Sequence, residues 1–224
     1  MANCEALRID VIPTLCTQFE TAFSLPALAG AQEAQDSLVA MHARIFQSYV
    51  KPVAERLRGL IAAGVAAPSY GAGDARPHDA RPYVYAVLLE LVLVHAETQR
   101  TSPSALGAVL GHHLESVSQA LIDAFGRRAR YALPALVQAT LDVEFLAQTL
   151  GSYTTARASE VRGRIYLALD ERTDNDARQR LQDELPEMRA ILKRLRERTR
   201  GEFACFKKAR PARERDRQGN GERA

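Results

Sequence analysis

The sequence predicts an all-α protein. Apolar residues recur at steps of three and four along successive stretches, and no segment sustains period-two alternation. Aromatic residues make up only 6%, with no tryptophan, whereas a long β-sandwich would draw on more of them. About seven helices fit the 224 residues, as one large helical domain or as two small bundles sharing an interface.

The first clear stripe starts at Leu38 and runs through Met41, Ile45, Phe46, Tyr49, Val53, Leu57, Leu60 and Ile61. Those steps place one apolar face on one helix. Pro52 removes a backbone donor inside it, so a kink is expected near Tyr49. From Pro68 to Pro82 glycine, proline and aspartate crowd together with no recurring apolar residue, which predicts a surface loop. A helix then runs from Pro82 to about Arg100. It is apolar nearly all round (Tyr83, Val84, Val87, Leu88, Leu91, Val92, Val94), so it is expected to sit centrally, covered on several sides.

Ser102-Pro103 has the residue types of an N-cap followed by proline at the first helical position. The helix behind it carries Leu106, Leu110, Leu114, Val117, Leu121 and Phe125 and ends at Gly126. Another opens near Pro134, turns Leu133, Leu136, Val137, Leu141, Phe145 and Leu150 inward, and closes at Gly151. Phe145 shares this stripe and should lie between bundled helices. Thr154 or Thr155 caps the next helix (Val161, Ile165, Leu169), and Asp174 caps the last. The last stripe, Leu181, Leu185, Met188, Leu192 and Leu195, has coiled-coil steps over barely two heptads, interrupted by Pro186. Packing on a neighbouring helix is the expected use. Residues 1–206 thus read as a helical region, divisible into two packed bundles near 128–133. Residues 207–224 carry no apolar stripe and read as a disordered basic tail.

Net charge is +3, and it is uneven. Seven Lys/Arg against three acids give residues 207–224 a charge of +4, leaving −1 for the rest. Three cysteines (Cys4, Cys16, Cys205) are scattered and odd in number, which fits a reducing compartment better than a disulfide framework. The N-terminal stretch lacks a basic start followed by an apolar run, so it is not a signal peptide. The most apolar run, Val84 to Val94, contains Glu90 and is too short for roughly 30 Å of hydrocarbon. A cytoplasmic protein is expected.

Sites for chemistry fail on spacing. His112 and Glu115 share a helix face but offer only two metal ligands, in the order His-x-x-Glu. His95, at the end of the most apolar helix, reads as a buried histidine with a backbone or carboxylate partner. Ser48-x-x-Lys51 lies mid-helix without the companion motifs of a serine acyl-transfer enzyme. Gly71-Ala-Gly73 follows no strand and opens no helix, so it is no phosphate loop. Asp142 and Glu144 are two apart and point to different faces. No catalytic residue, metal, cofactor or small-molecule substrate is expected.

Arg189, Lys193, Arg196 and Arg200 line one face of the last helix, and Lys207 and Lys208 follow. One reading is contact with a partner or an anionic membrane. The plainer reading is a solvated face that complements the helix's own C-terminal dipole. Glu184, Glu187 and Glu197 dilute the charge and no aromatic residues interleave for base stacking, which argues against nucleic acid.

Four stretches carry a resemblance: IFQSYVKPVAERLRGLIAAG from Ile45, RPYVYAVLLELVLVHAE from Arg81, YALPALVQATLDVEFLAQTL followed by YTT from Tyr131, and GEFACFKKARP from Gly201. In wording and order they resemble the C-terminal part of the exocyst complex component 2 family, in a form similar to that of filamentous fungi, from about Ile12 to Pro211. The resemblance implies a non-catalytic subunit of an octameric complex that tethers secretory vesicles to the plasma membrane, and an elongated rod of stacked helical bundles. It implies other exocyst subunits as partners, and small GTPases through regions absent from this chain. Members are several times longer, so the chain is expected to be a piece of such a subunit. The alternative from the residues alone is a peripheral membrane-binding helical module that uses the basic last helix and tail.

Overall fold

The computed structural model describes residues 1–26, 30–67 and 77–207. Among the described residues, seven helical rods follow one another. The first is continuous from α1 (Ala2–Ala6) through a π turn (Leu7–Val11) into α2 (Ile12–Phe23). Then come α3 (Gly30–Ala66), α4 (Pro82–Thr101), α5 (Leu106–Gly126), α6 (Leu133–Thr149), α7 (Ala156–Asp170) and α8 (Asn175–Arg198). Among the described residues there is no strand, only one bridge between Tyr131 and Thr173. The fold is all-α, as periodicity predicts. No helix among the described residues is long and apolar enough to cross a membrane.

As its apolar surface predicts, α4 is covered on several sides, by α3, α5 and α6, but α6 is the most completely buried helix among the described residues. Eleven of the seventeen residues of α6 are buried, from Ala135 to Leu146. It lies between α4 and α8, with Phe145 fully buried against the rings of Tyr85 (5.6 Å) and Phe203 (6.5 Å). By contrast α4, although apolar nearly all round, leaves Leu89 exposed and Leu93 66% exposed. Its other side packs on α3, where Gly64 lets the helices approach and Arg56 pairs with Glu90 at 3.2 Å.

The stripe of α3 also divides. Val50, Val53, Leu57, Ile61 and Val65 are buried, but Val39, Met41 and Ile45 are exposed. At 1.5 Å per residue the 37-residue helix is about 55 Å long, so its first half extends past the core. It runs through Pro52 as one helix.

The caps follow residue chemistry in two of three places. Thr155 accepts from Ala158 N–H at 3.0 Å and Asp174 accepts from Ala177 N–H at 2.7 Å, each satisfying an orphan donor of the first turn. Ser102 does not cap with its hydroxyl. It is buried, and a 3₁₀ turn (Pro103–Ala105) precedes α5, closed by Ala105 N–H on the Ser102 carbonyl at 3.0 Å.

Most of the predicted 68–82 loop lies outside the described residues. Its last part is tied down: Ala80 is buried, and Asp79 and Arg81 bond to α4, α6 and α8. At the other end Phe206 is fully buried and Lys207 exposed. The predicted tail from 208 onward is outside the described residues.

Candidate functional site

Helix α8 buries Met188, Ile191, Leu192 and Leu195, and those positions set the direction of the rest. Arg189, Lys193, Arg196 and Arg200 therefore all face solvent, one or two turns apart. Three of them, with Lys207, line one groove of about 440 Å³. Its far wall is the end of α6 and the turn after it, with Gln148, Thr149 and Ser152, and it also borders the buried Phe203 and Phe206. Arg196 Nη1–H donates to Gln148 Oε1 at 3.4 Å. Glu197 is the one carboxylate among the lining residues. Arg189 is exposed but not among them, and Lys208 lies outside the described residues.

Arg198 turns the other way. Its Nη2 donates to Asp79 Oδ2 and to Tyr85 Oη, both at 2.7 Å, while Tyr85 O–H donates to Asp79 Oδ1 at 2.6 Å. Burial alone would raise the Asp79 carboxyl, but the bonds from Tyr85 and Arg198 outweigh it and hold it below the usual range. Burial and the Asp79 carboxylate push Tyr85 up to about 12. These two groups act as a clamp between α4 and α8 rather than as an acid–base pair.

His112, Glu115, His95, Asp142 and Glu144 are held in structural contacts. His112 stacks edge-on to Phe46 at 5.7 Å, and Glu115 accepts from Thr155 O–H at 2.8 Å and lies 4.0 Å from Arg157. Among the described residues no group of three His, Cys, Asp or Glu could hold a metal ion. His95 is half-buried with a tyrosine beside it: Tyr153 Oη is 3.3 Å from its Nε2. Asp142 is fully buried and Oδ1 accepts from the Arg81 backbone N–H (3.0 Å) and from Gln138 Nε2 (2.9 Å). Glu144 accepts from Tyr166 O–H at 2.5 Å. Ser48 and Lys51 are both exposed on α3, and Gly71 and Gly73 lie outside the described residues.

Sequence reasoning missed the other candidate surface. Nine large apolar residues stand exposed between positions 7 and 45: Leu7, Ile9, Val11, Leu15, Phe23, Leu25, Val39, Met41 and Ile45. Val11, Leu15, Phe19 and Phe23 recur every four residues, with the Phe19 and Phe23 rings 4.9 Å apart. Leu15, Phe19 and Phe23 border an apolar groove of about 530 Å³ between α2 and the start of α3. The four-residue spacing was the available signal. Residues 7–45, which hold these nine, carry four carboxylates (Asp10, Glu20, Glu33, Asp36) against two arginines (Arg8, Arg44), a small net negative charge. Exposed apolar area of this kind, rimmed by polar groups, is the usual signature of a protein-binding surface.

Comparison with known proteins adds two findings. The family model for exocyst complex component Sec5 matches residues 1–206. Exocyst complex component 2 of Mus musculus is 23% identical over 213 residues, covering 95% of this chain and 22% of that protein. The chain thus spans under a quarter of the length of this curated relative. No solved structure matches.

Proposed function

This chain belongs to the exocyst complex component Sec5 family, and we propose that it acts as a non-catalytic helical scaffold of the exocyst, docking other exocyst subunits during the tethering of secretory vesicles to the plasma membrane. Cytoplasmic residence, with recruitment to sites of secretion, belongs to the same reading.

The observation that carries it is the exposed apolar arm. A scaffold works through surface held on rigid helices. Burying the exposed aliphatic and aromatic side chains of the arm is worth roughly 1.5–3 kcal/mol apiece, reduced by the cost of association. The occupant that fits is an amphipathic helix of another subunit, its apolar face on the groove and its flanks matched to the slight net negative charge of residues 7–45. The polar residues described above bond to one another and secure helix ends, which supports a structural rather than a catalytic use.

The test uses the full-length subunit carrying Leu15→Asp and Phe23→Asp. Both side chains are exposed, Phe23 by 63%, so folding is expected to survive. Circular dichroism should be unchanged while recovery of one or more exocyst subunits falls by about tenfold, the equivalent of one lost apolar anchor. Undiminished recovery of every subunit would refute the docking role.

A further inference from the structure

Four cations converge on the groove between α8 and the end of α6. Lys193, Arg196 and Arg200 are spaced three and four residues apart, and Lys207 reaches it from the 3₁₀ turn that follows α8. From Lys193 to Arg196 is about 4.5 Å along α8, and Arg200 lies two residues past its end at Arg198. None of the four is ion-paired among the described residues; the one polar side-chain contact is the long Arg196–Gln148 bond. Arg198, on the same helix, shows what pairing looks like here, with Asp79 at 2.7 Å. Thr149, Ser152 and Gln148 add hydroxyl and amide donors on the opposite wall.

Two features work against an anion. Glu197 lies in the same groove, and the C-terminal ends of α6 and α8 bring partial negative charge. Three cations within about two turns, joined by Lys207 from beyond the 3₁₀ turn, exceed both, and all four border one concavity. The geometry points to a binding site for a compact headgroup bearing several phosphates, the chemistry shared by a phosphoinositide lipid and a soluble inositol polyphosphate.

Size and composition select this class. Planar guanidinium groups bind phosphate oxygens in pairs, and a single phosphorylated residue would leave part of the set unmatched. Single-stranded nucleic acid wants an extended basic track with aromatic platforms, but the cationic stretch is short and Phe203 and Phe206 are buried. The site does not depend on the apolar arm, so its failure would leave the scaffold reading untouched.

The test compares two variants of the whole chain with equal loss of charge. One carries Lys193→Gln, Arg196→Gln, Arg200→Gln and Lys207→Gln. The other carries Arg100→Gln, Arg164→Gln, Arg189→Gln and Arg194→Gln, all exposed and outside the groove. Binding is measured to phosphatidylcholine vesicles containing phosphatidylinositol 4,5-bisphosphate, to vesicles of matched charge containing phosphatidylserine, and by calorimetry to soluble inositol trisphosphate. Circular dichroism checks the fold of each variant. The groove variant should lose binding to the bisphosphate vesicles, the trisphosphate or both by about tenfold or more, and the control variant by less than about threefold. Loss for the trisphosphate alone would assign the site to a soluble headgroup, and loss for vesicles alone to the lipid. Equal losses in the two variants, equal binding to phosphatidylserine, or a preference for a phosphoserine peptide or RNA would overturn the proposal.

Discussion

Gly64 on α3 lies so close to Tyr83 on α4 that a Cβ on Gly64 would stand 2.4 Å from the Tyr83 Cβ and Cγ. The near atoms belong to the root of the tyrosine side chain, which cannot swing away without moving α4. Gly64→Ala should therefore destabilise the fold by about 1–3 kcal/mol, the usual cost of overpacking. Gly59, on the same helix with nothing within 4 Å, is the control. Gly59→Ala should be neutral or stabilising by up to about 1 kcal/mol, because alanine is the better helix former. Urea unfolding of both variants checks the pair.

Phe145 is fully buried between Tyr85 and Phe203. Phe145→Ala should cost roughly 3–5 kcal/mol and lower the melting temperature clearly. An unchanged melting temperature would mean that α6 is not the centre of the core.

Asp142 links two elements that the sequence keeps far apart. Its carboxylate takes the backbone N–H of Arg81, at the start of α4, together with the Gln138 amide. Asp142→Ala leaves both donors buried without that acceptor, at a cost of about 1–3 kcal/mol each at most. Hydrogen exchange at the Arg81 amide should accelerate, with exchange in α7 unchanged.

His113 supplies a pH signature. It is fully buried, and neither ring nitrogen has a hydrogen-bond partner among the described residues. Burial first, then His112 and Arg56, lower it from 6.5 to about 4. The unfolded chain takes up this proton near pH 6.5, but the folded chain does so only near pH 4. Between those values the unfolded state binds more protons, so stability falls as pH falls, by about 3 kcal/mol over the window. His113→Phe should flatten the dependence between pH 6.5 and 4. An unchanged slope would show that His113 does not titrate between the two states.

Much of this fold is legible in the sequence because burial on one face leaves a periodic mark. The stripes from Leu106 to Leu195 became helices in the expected order, and Thr155 and Asp174 cap as their chemistry dictates. Ser102 did not cap, because the Ala105 N–H that its hydroxyl could accept goes instead to its own carbonyl in a 3₁₀ turn. Leu89 and Leu93 show what hydrophobicity alone leaves open: an apolar helix states that it can be covered, not by which neighbours. Local spacing sets Asp142 only against Glu144, because its partner Arg81 is 61 residues away. The groove was half legible. Lys193, Arg196 and Arg200 share a face by spacing, but Gln148 and Phe206 reach it only through the tertiary fold.

If the arm bearing Leu15 and Phe23 docks another exocyst subunit, position 23 lies against that subunit in the assembled complex. The most direct measurement places a photo-crosslinking amino acid at position 23 of the full-length subunit, assembles the complex, irradiates it and identifies the product by mass spectrometry. The expected product is a cross-link from position 23 to an amphipathic helix of a different exocyst subunit. Cross-links confined to other parts of the same polypeptide would contradict it, since the apolar arm would then be covered by its own chain.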